Sequence, residues 1–182
     1  MLPYPDFLCH YYDASIGPFL NLSDLSLEEA ERILDRIRRA GAGFASKRSL
    51  DYLRISRELE DRVRRLFVEK GGEPCRGRPH YMILGSCPWV KGWYRDGREL
   101  TIPLVRFHPE IVSFTYGDTF PAMRFRDGRP YRGQVYVLDE LPDLIQSRGL
   151  PQKWNRDGSR GPERHIEAQV WDDEPIREFL VS

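Results

Sequence analysis

The sequence predicts an α+β fold: two N-terminal helices packed on a mixed or mostly antiparallel sheet of five to six strands. Three observations lead there. Helical periodicity is strongest in the stretch from Ser26 to Gly72. After Gly72 the apolar residues come in short runs rich in β-branched and aromatic side chains. Turn formers separate those runs, as in "RDG" at 95–97, "YGD" at 116–118 and "RDG" at 126–128. Helices first and strands later favour α+β over alternating α/β.

The elements follow in order. "CHYYDAS" is short and extended, a first strand. In "SLEEAERILDRIRRAG", Ser26 is an N-cap and Glu29 completes a capping box. Leu27, Ala30, Ile33, Leu34 and Ile37 form one stripe, and Gly41 or Gly43 ends the helix. In "SLDYLRISRELEDRVRRLFVEKGG", Tyr52, Ile55, Leu59, Val63, Leu66 and Phe67 share a face. Glu58–Arg62, Glu60–Arg64 and Asp61–Arg65 are expected as i,i+4 pairs on a solvated flank. "HYMIL", "ELTIPLVRF", "IVSFTY", "GQVYVL" and "RHIEAQVW" read as strands, Pro103 marking an edge or interrupted one. A short helix is expected from about Asp139 to Gly149. The polar connection from Gly149 to Arg164 follows, expected to be mobile without ligand.

Composition bounds the function. A chain of 182 residues suits a single globular domain, and 40% apolar residues suffice for one core. Lys plus Arg and Asp plus Glu both number 28, which argues against nucleic-acid binding through bulk charge. The three widely spaced cysteines suit neither a disulfide framework nor a zinc knuckle. "MLPYPDFLCHYYD" lacks the basic and apolar regions of a leader, and no stretch is long enough to span a membrane, so a cytoplasmic protein with no membrane partner is expected.

The sequence contains no phosphate-cradling glycine loop, nucleophile elbow or H-E-x-x-H motif. His10, His80, His108 and His165 lack ligand spacing, so no metal is expected. Cys87 in "GSCPWV" could act as a nucleophile with His80 or His165 as its base, though packing is the commoner role of such a cysteine. Trp89 and Trp93 beside it could line a pocket or simply cap the core. The last strand is the most informative. Ile166, Ala168 and Val170 alternate with His165, Glu167, Gln169 and Trp171, so a carboxylate sits mid-strand on a polar face. That face is either wet or turned into a cleft.

A histidine followed by aromatics on the first strand, a helix soon after and a glutamate on a late strand resemble the ADP-ribosyltransferases, most nearly their DNA-targeting toxins. "FLCHYYDASIGPFLNLSDLSLEEAERIL" is similar to their opening strand and helix, and "ERHIEAQVWDDEPI" to their closing strand. "ELTIPLVRFHPEIVSFTYGDTFPAM" is similar to their central strand pair. The resemblance covers about half the chain in separate pieces. It implies NAD as substrate, Glu167 as the carboxylate stabilising the transition state, and His10 orienting the ribose. Tyr11 or Tyr12 would stack on the nicotinamide, and His165, Gln169, Trp89 and Trp93 would contact substrate or a nucleic-acid or protein acceptor. The chain departs from the pattern in three places. Gly85 and Ser86 stand where an arginine is expected, Tyr12 replaces a threonine, and the helix at 49–70 has no counterpart. The alternative is a non-enzymatic binding or regulatory module, in which Glu167 is only a solvated strand residue. The two readings differ on whether His10 and Glu167 share one concave pocket.

Overall fold

A computed structural model of the chain describes residues 4–41 and 43–180. The first three residues of the stretch read for a leader therefore lie outside the described residues. Five strands form one sheet: β1 (Phe7–Asp13), β2 (His80–Leu84), β3 (Gly97–Pro103), β4 (Val112–Tyr116) and β5 (Ile166–Val170). Their order is β3-β1-β2-β5-β4, and each neighbouring pair is antiparallel. Among the described residues six α-helices accompany it: α1 (Leu27–Ala40), α2 (Tyr52–Glu69), α3 (Pro88–Lys91), α4 (Thr119–Arg124), α5 (Leu141–Arg148) and α6 (Pro151–Trp154). Among the described residues no helix is long and apolar enough to cross a membrane.

The α1 boundary follows from local chemistry. Ser26 Oγ accepts the Glu29 N–H at 3.2 Å, and Glu29 Oε2 accepts the Ser26 N–H at 3.1 Å. Gly41 closes the helix in the left-handed region at φ 64°, where a side chain would be strained. Gly72 follows α2 for a different reason: a Cβ there would stand 2.5 Å from the Phe67 ring.

Alternation along the strands divides the core. Ile166, Ala168 and Val170 join Leu8, Met82, Leu84, Phe114 and α5 residues Leu141 and Leu144 in the main cluster. On α2, Leu59, Val63 and Phe67 pack with Trp171, Met123 and Val135 in a second. Both faces of β5 are therefore covered, and all five of its residues are buried. The polar face is therefore not a wet one: Gln169 is fully buried, and Glu167 lines a cavity.

Three expectations are corrected. The segment "GQVYVL" contributes only an isolated bridge, Tyr136 to Phe114, before the chain turns into a 3-10 helix at Leu138–Glu140. Among the described residues none of the three i,i+4 pairs expected on α2 forms. Arg62 donates instead to the Met123 carbonyl at 2.9 Å, and Arg64 to the carbonyls of Pro74 and Arg76. Arg78 bridges to Glu60 and Asp61. Tertiary acceptors thus take Arg62 and Arg64, while the exposed Glu58 and Arg65 pair along the helix with Arg54 and Glu69 instead. The polar connection after Gly149, expected to be mobile, is tied down. Asn155 is fully buried, donates to the carbonyls of Gly161 and Glu163, and accepts the Arg160 N–H at 2.9 Å. The buried carboxylate of Glu163 pairs with Arg129 and Arg132.

Candidate functional site

The strands β1 and β2 pair only at Leu8–Leu84 and Cys9–Ile83. Beyond that point β1 continues alongside β3, while His80–Met82 remain with β5. The sheet thus opens into a fork. A cavity of about 640 Å³ lies there, walled by the fork strands, α1, α2 and the connections beside them. That volume lies within the range that encloses a small-molecule ligand. His10, Tyr11, Trp93, His165 and Glu167 all line it.

His10 bridges the fork. The Phe19 N–H donates to its Nε2 at 2.9 Å, so Nδ1 carries the proton and donates to the Tyr81 carbonyl at 3.0 Å. The Phe19 ring stacks on it at 4.0 Å. Burial lowers its pKa to about 4 and keeps it neutral. With both nitrogens engaged, no polar atom is left to hold a ribose, which corrects its expected role. Phe19 itself sits at φ 57°, a strained conformation for a bulky residue.

Glu167 is 8% exposed and rigidly held. Its Oε1 accepts the Thr119 N–H at 3.0 Å and the Thr119 hydroxyl at 2.6 Å, and Gln169 Nε2 lies 3.4 Å away. Its Oε2 stands 3.9 Å from His165 Nε2. Burial disfavours the charged form of His165. The neighbouring Cys87 thiol and Glu167 carboxylate, with the charge of Asp118, outweigh it and raise the pKa to about 9. For Cys87 burial acts to raise the pKa, but His165 prevails and lowers it. Cys87 is only 2% exposed and lies outside the cavity wall. His80, its other candidate base, pairs instead with Asp173 at 2.8 Å.

The remaining expected residues separate. Gln169 is fully buried, accepting from Ser113 Oγ and donating to Thr115 and Thr119, so it is a scaffold and not an acceptor contact. Tyr11 lines the cavity, but its hydroxyl accepts the Cys87 N–H at 2.7 Å. Tyr12 and Trp89 lie outside the wall, Tyr12 near the His10 ring and Trp89 beneath the Arg164 guanidinium at 4.1 Å. Trp93 stacks on Phe44 at 4.3 Å.

Sequence reasoning missed three lining residues. Arg48 lies over the Tyr52 ring at 4.3 Å, its buried Nε has no hydrogen-bond partner, and it forms no salt bridge among the described residues. It sits in the segment after α1. Glu60 on α2 is 1% exposed and accepts from Ser23 Oγ and the Tyr81 hydroxyl, both at 2.8 Å. Asp118 precedes α4 and completes the acidic wall. Among the described residues no group of three or more His, Cys, Asp or Glu is placed to hold a metal ion. Comparison with protein-family profiles, curated proteins and solved structures finds no match.

Proposed function

We propose that the cavity binds NAD and breaks its nicotinamide–ribose bond, passing ADP-ribose to water or to a nucleic-acid or protein acceptor. The observation that carries this reading is Glu167: a strand-borne carboxylate in a cavity of ligand size, fixed by both donors of Thr119. As nicotinamide departs, positive charge grows on the ribose ring. A carboxylate already oriented stabilises that charge without reorganising at the moment of reaction. His165 and Thr119 keep Glu167 in place.

NAD also carries two phosphates, which need cations. Arg48 and Arg95 both line the cavity, and Arg48 has free donors. Arg48 thereby takes up the function left empty by Gly85 and Ser86. Trp93 and Phe44 offer flat surface for a ring. His10 acts through the scaffold, holding the fork at the width the cavity requires.

Thermal melting with NAD tests the binding. A ligand that prefers the folded state raises the melting temperature by mass action. The expected result is a concentration-dependent rise for the wild type. Arg48→Ala should weaken NAD about ten- to a hundredfold, the loss of a charged hydrogen bond. No rise with NAD, and none with its nucleotide fragments, would contradict the reading. A second reading, a module that binds a nucleotide without turnover, is favoured by one observation: the first-strand histidine has no free nitrogen. It predicts the melting shift without nicotinamide release.

A further inference from the structure

Glu167 has a companion carboxyl. Asp118 accepts the Phe120 N–H on Oδ1 at 2.7 Å, and the next residue, Thr119, is the one that holds Glu167. Both carboxyls line the same cavity. The groups facing Asp118 are Glu167 and His165 from β5, Arg48 from the segment before α2, and Tyr52 from the first turn of α2. Burial, and then the charge of Glu167, push the Asp118 carboxyl up to about 6.

We propose that Asp118 is the proton acceptor for the incoming nucleophile, and that this nucleophile is a neutral group bearing an O–H or N–H. The proposal rests on the reading of the cavity as a site of NAD cleavage. The balance of that reaction leaves Asp118 this role. The bond from C1′ to the pyridinium nitrogen breaks, its electron pair passes to nitrogen, and nicotinamide leaves neutral without needing a proton. As it departs, the ribosyl C1′ takes an electron pair from the acceptor's oxygen or nitrogen. A new bond to C1′ forms, and the acceptor's proton passes to a carboxylate.

Glu167 is badly placed to take it, because Oε1 is engaged by Thr119 and Oε2 faces His165. Asp118 is engaged through Oδ1 alone among the described residues. A carboxyl titrating nearer neutrality is also a stronger base than an ordinary one. An acceptor that hands its proton to Asp118 must carry one on its nucleophilic atom, so the acceptor class is a hydroxyl, an amine or a ring N–H.

Nicotinamide release from NAD by wild type, Asp118→Asn and Glu167→Gln, followed from about pH 5 to about pH 8, tests this. Wild-type rate should fall about tenfold per pH unit below about 6. Asp118→Asn should lack that limb and be about a hundred- to ten-thousandfold slower near neutrality. Azide, an anionic nucleophile with no proton to lose, should restore Asp118→Asn and leave Glu167→Gln inactive. Equal melting temperatures check that the variants are folded. Asp118→Asn with wild-type rate and pH limb overturns the proposal. So does a folded Asp118→Asn that azide fails to rescue while wild type is active. Wild type that releases no nicotinamide overturns the underlying reading as well, a separate and recognisable result.

Discussion

His10 illustrates how a polar residue in a candidate site can belong to its frame. The neutral imidazole accepts from Phe19 and donates to Tyr81, so protonation breaks an existing hydrogen bond. Its folded pKa of about 4 lies below the unfolded value of 6.5. The sign follows: the stability it contributes is present above about pH 6.5 and is lost as pH falls towards about 4, because the unfolded chain takes the proton first. The whole swing is about 3 kcal/mol. Urea unfolding of wild type and His10→Asn at two pH values checks this. The substitution should destabilise markedly at about pH 7.5 and much less at about pH 4.5, where the wild type has already lost the difference. An equal penalty at both would show that His10 does not titrate this way. Glu167 was legible in the sequence because a carboxylate mid-strand breaks a local rule. Asp118 and Arg48 were not, since each lies in a connection whose return to the cavity depends on packing far away in sequence.

At the level of elements, local signals did well where local bonds decide the outcome. The capping box at Ser26 forms, and Ser26→Ala should cost about 1 kcal/mol in urea unfolding. No loss would mean that water replaces the cap at no cost. Signals failed where tertiary partners compete. The arginines of α2 have good helical partners on paper, yet Arg62 and Arg64 reach carbonyls of other segments. The segment 149–164 has the composition of a free loop, but Asn155 turns it into a tethered one. Trypsin should therefore not cut the wild type first at Lys153, Arg156 or Arg160. Asn155→Ala leaves the buried Glu163 carbonyl and the part-buried Gly161 carbonyl without their donor, which should cost about 3 kcal/mol and open those sites to cleavage. Early cutting there in the wild type would show that the tether is weak.

On the scale of the whole molecule, the function proposed depends on a sheet that does not close. Full pairing of β1 with β2 would fill the fork, and Glu167 would be one more buried strand residue. The parting after Cys9–Ile83, held by His10, lets α1, α2 and the connections before α2 and α4 bring Arg48, Glu60 and Asp118 around it. The α+β class and strand-rich second half follow from periodicity alone. The strand order and the fork do not, because neither leaves a local pattern. The most direct test is nicotinamide release from NAD by wild type and by Glu167→Gln, which keeps the shape and most hydrogen bonds while removing the charge. The account predicts release by the wild type and a loss of about a hundredfold or more in the variant, at an unchanged melting temperature. A wild type that binds NAD and releases nothing, or a variant as fast as the wild type, would contradict it.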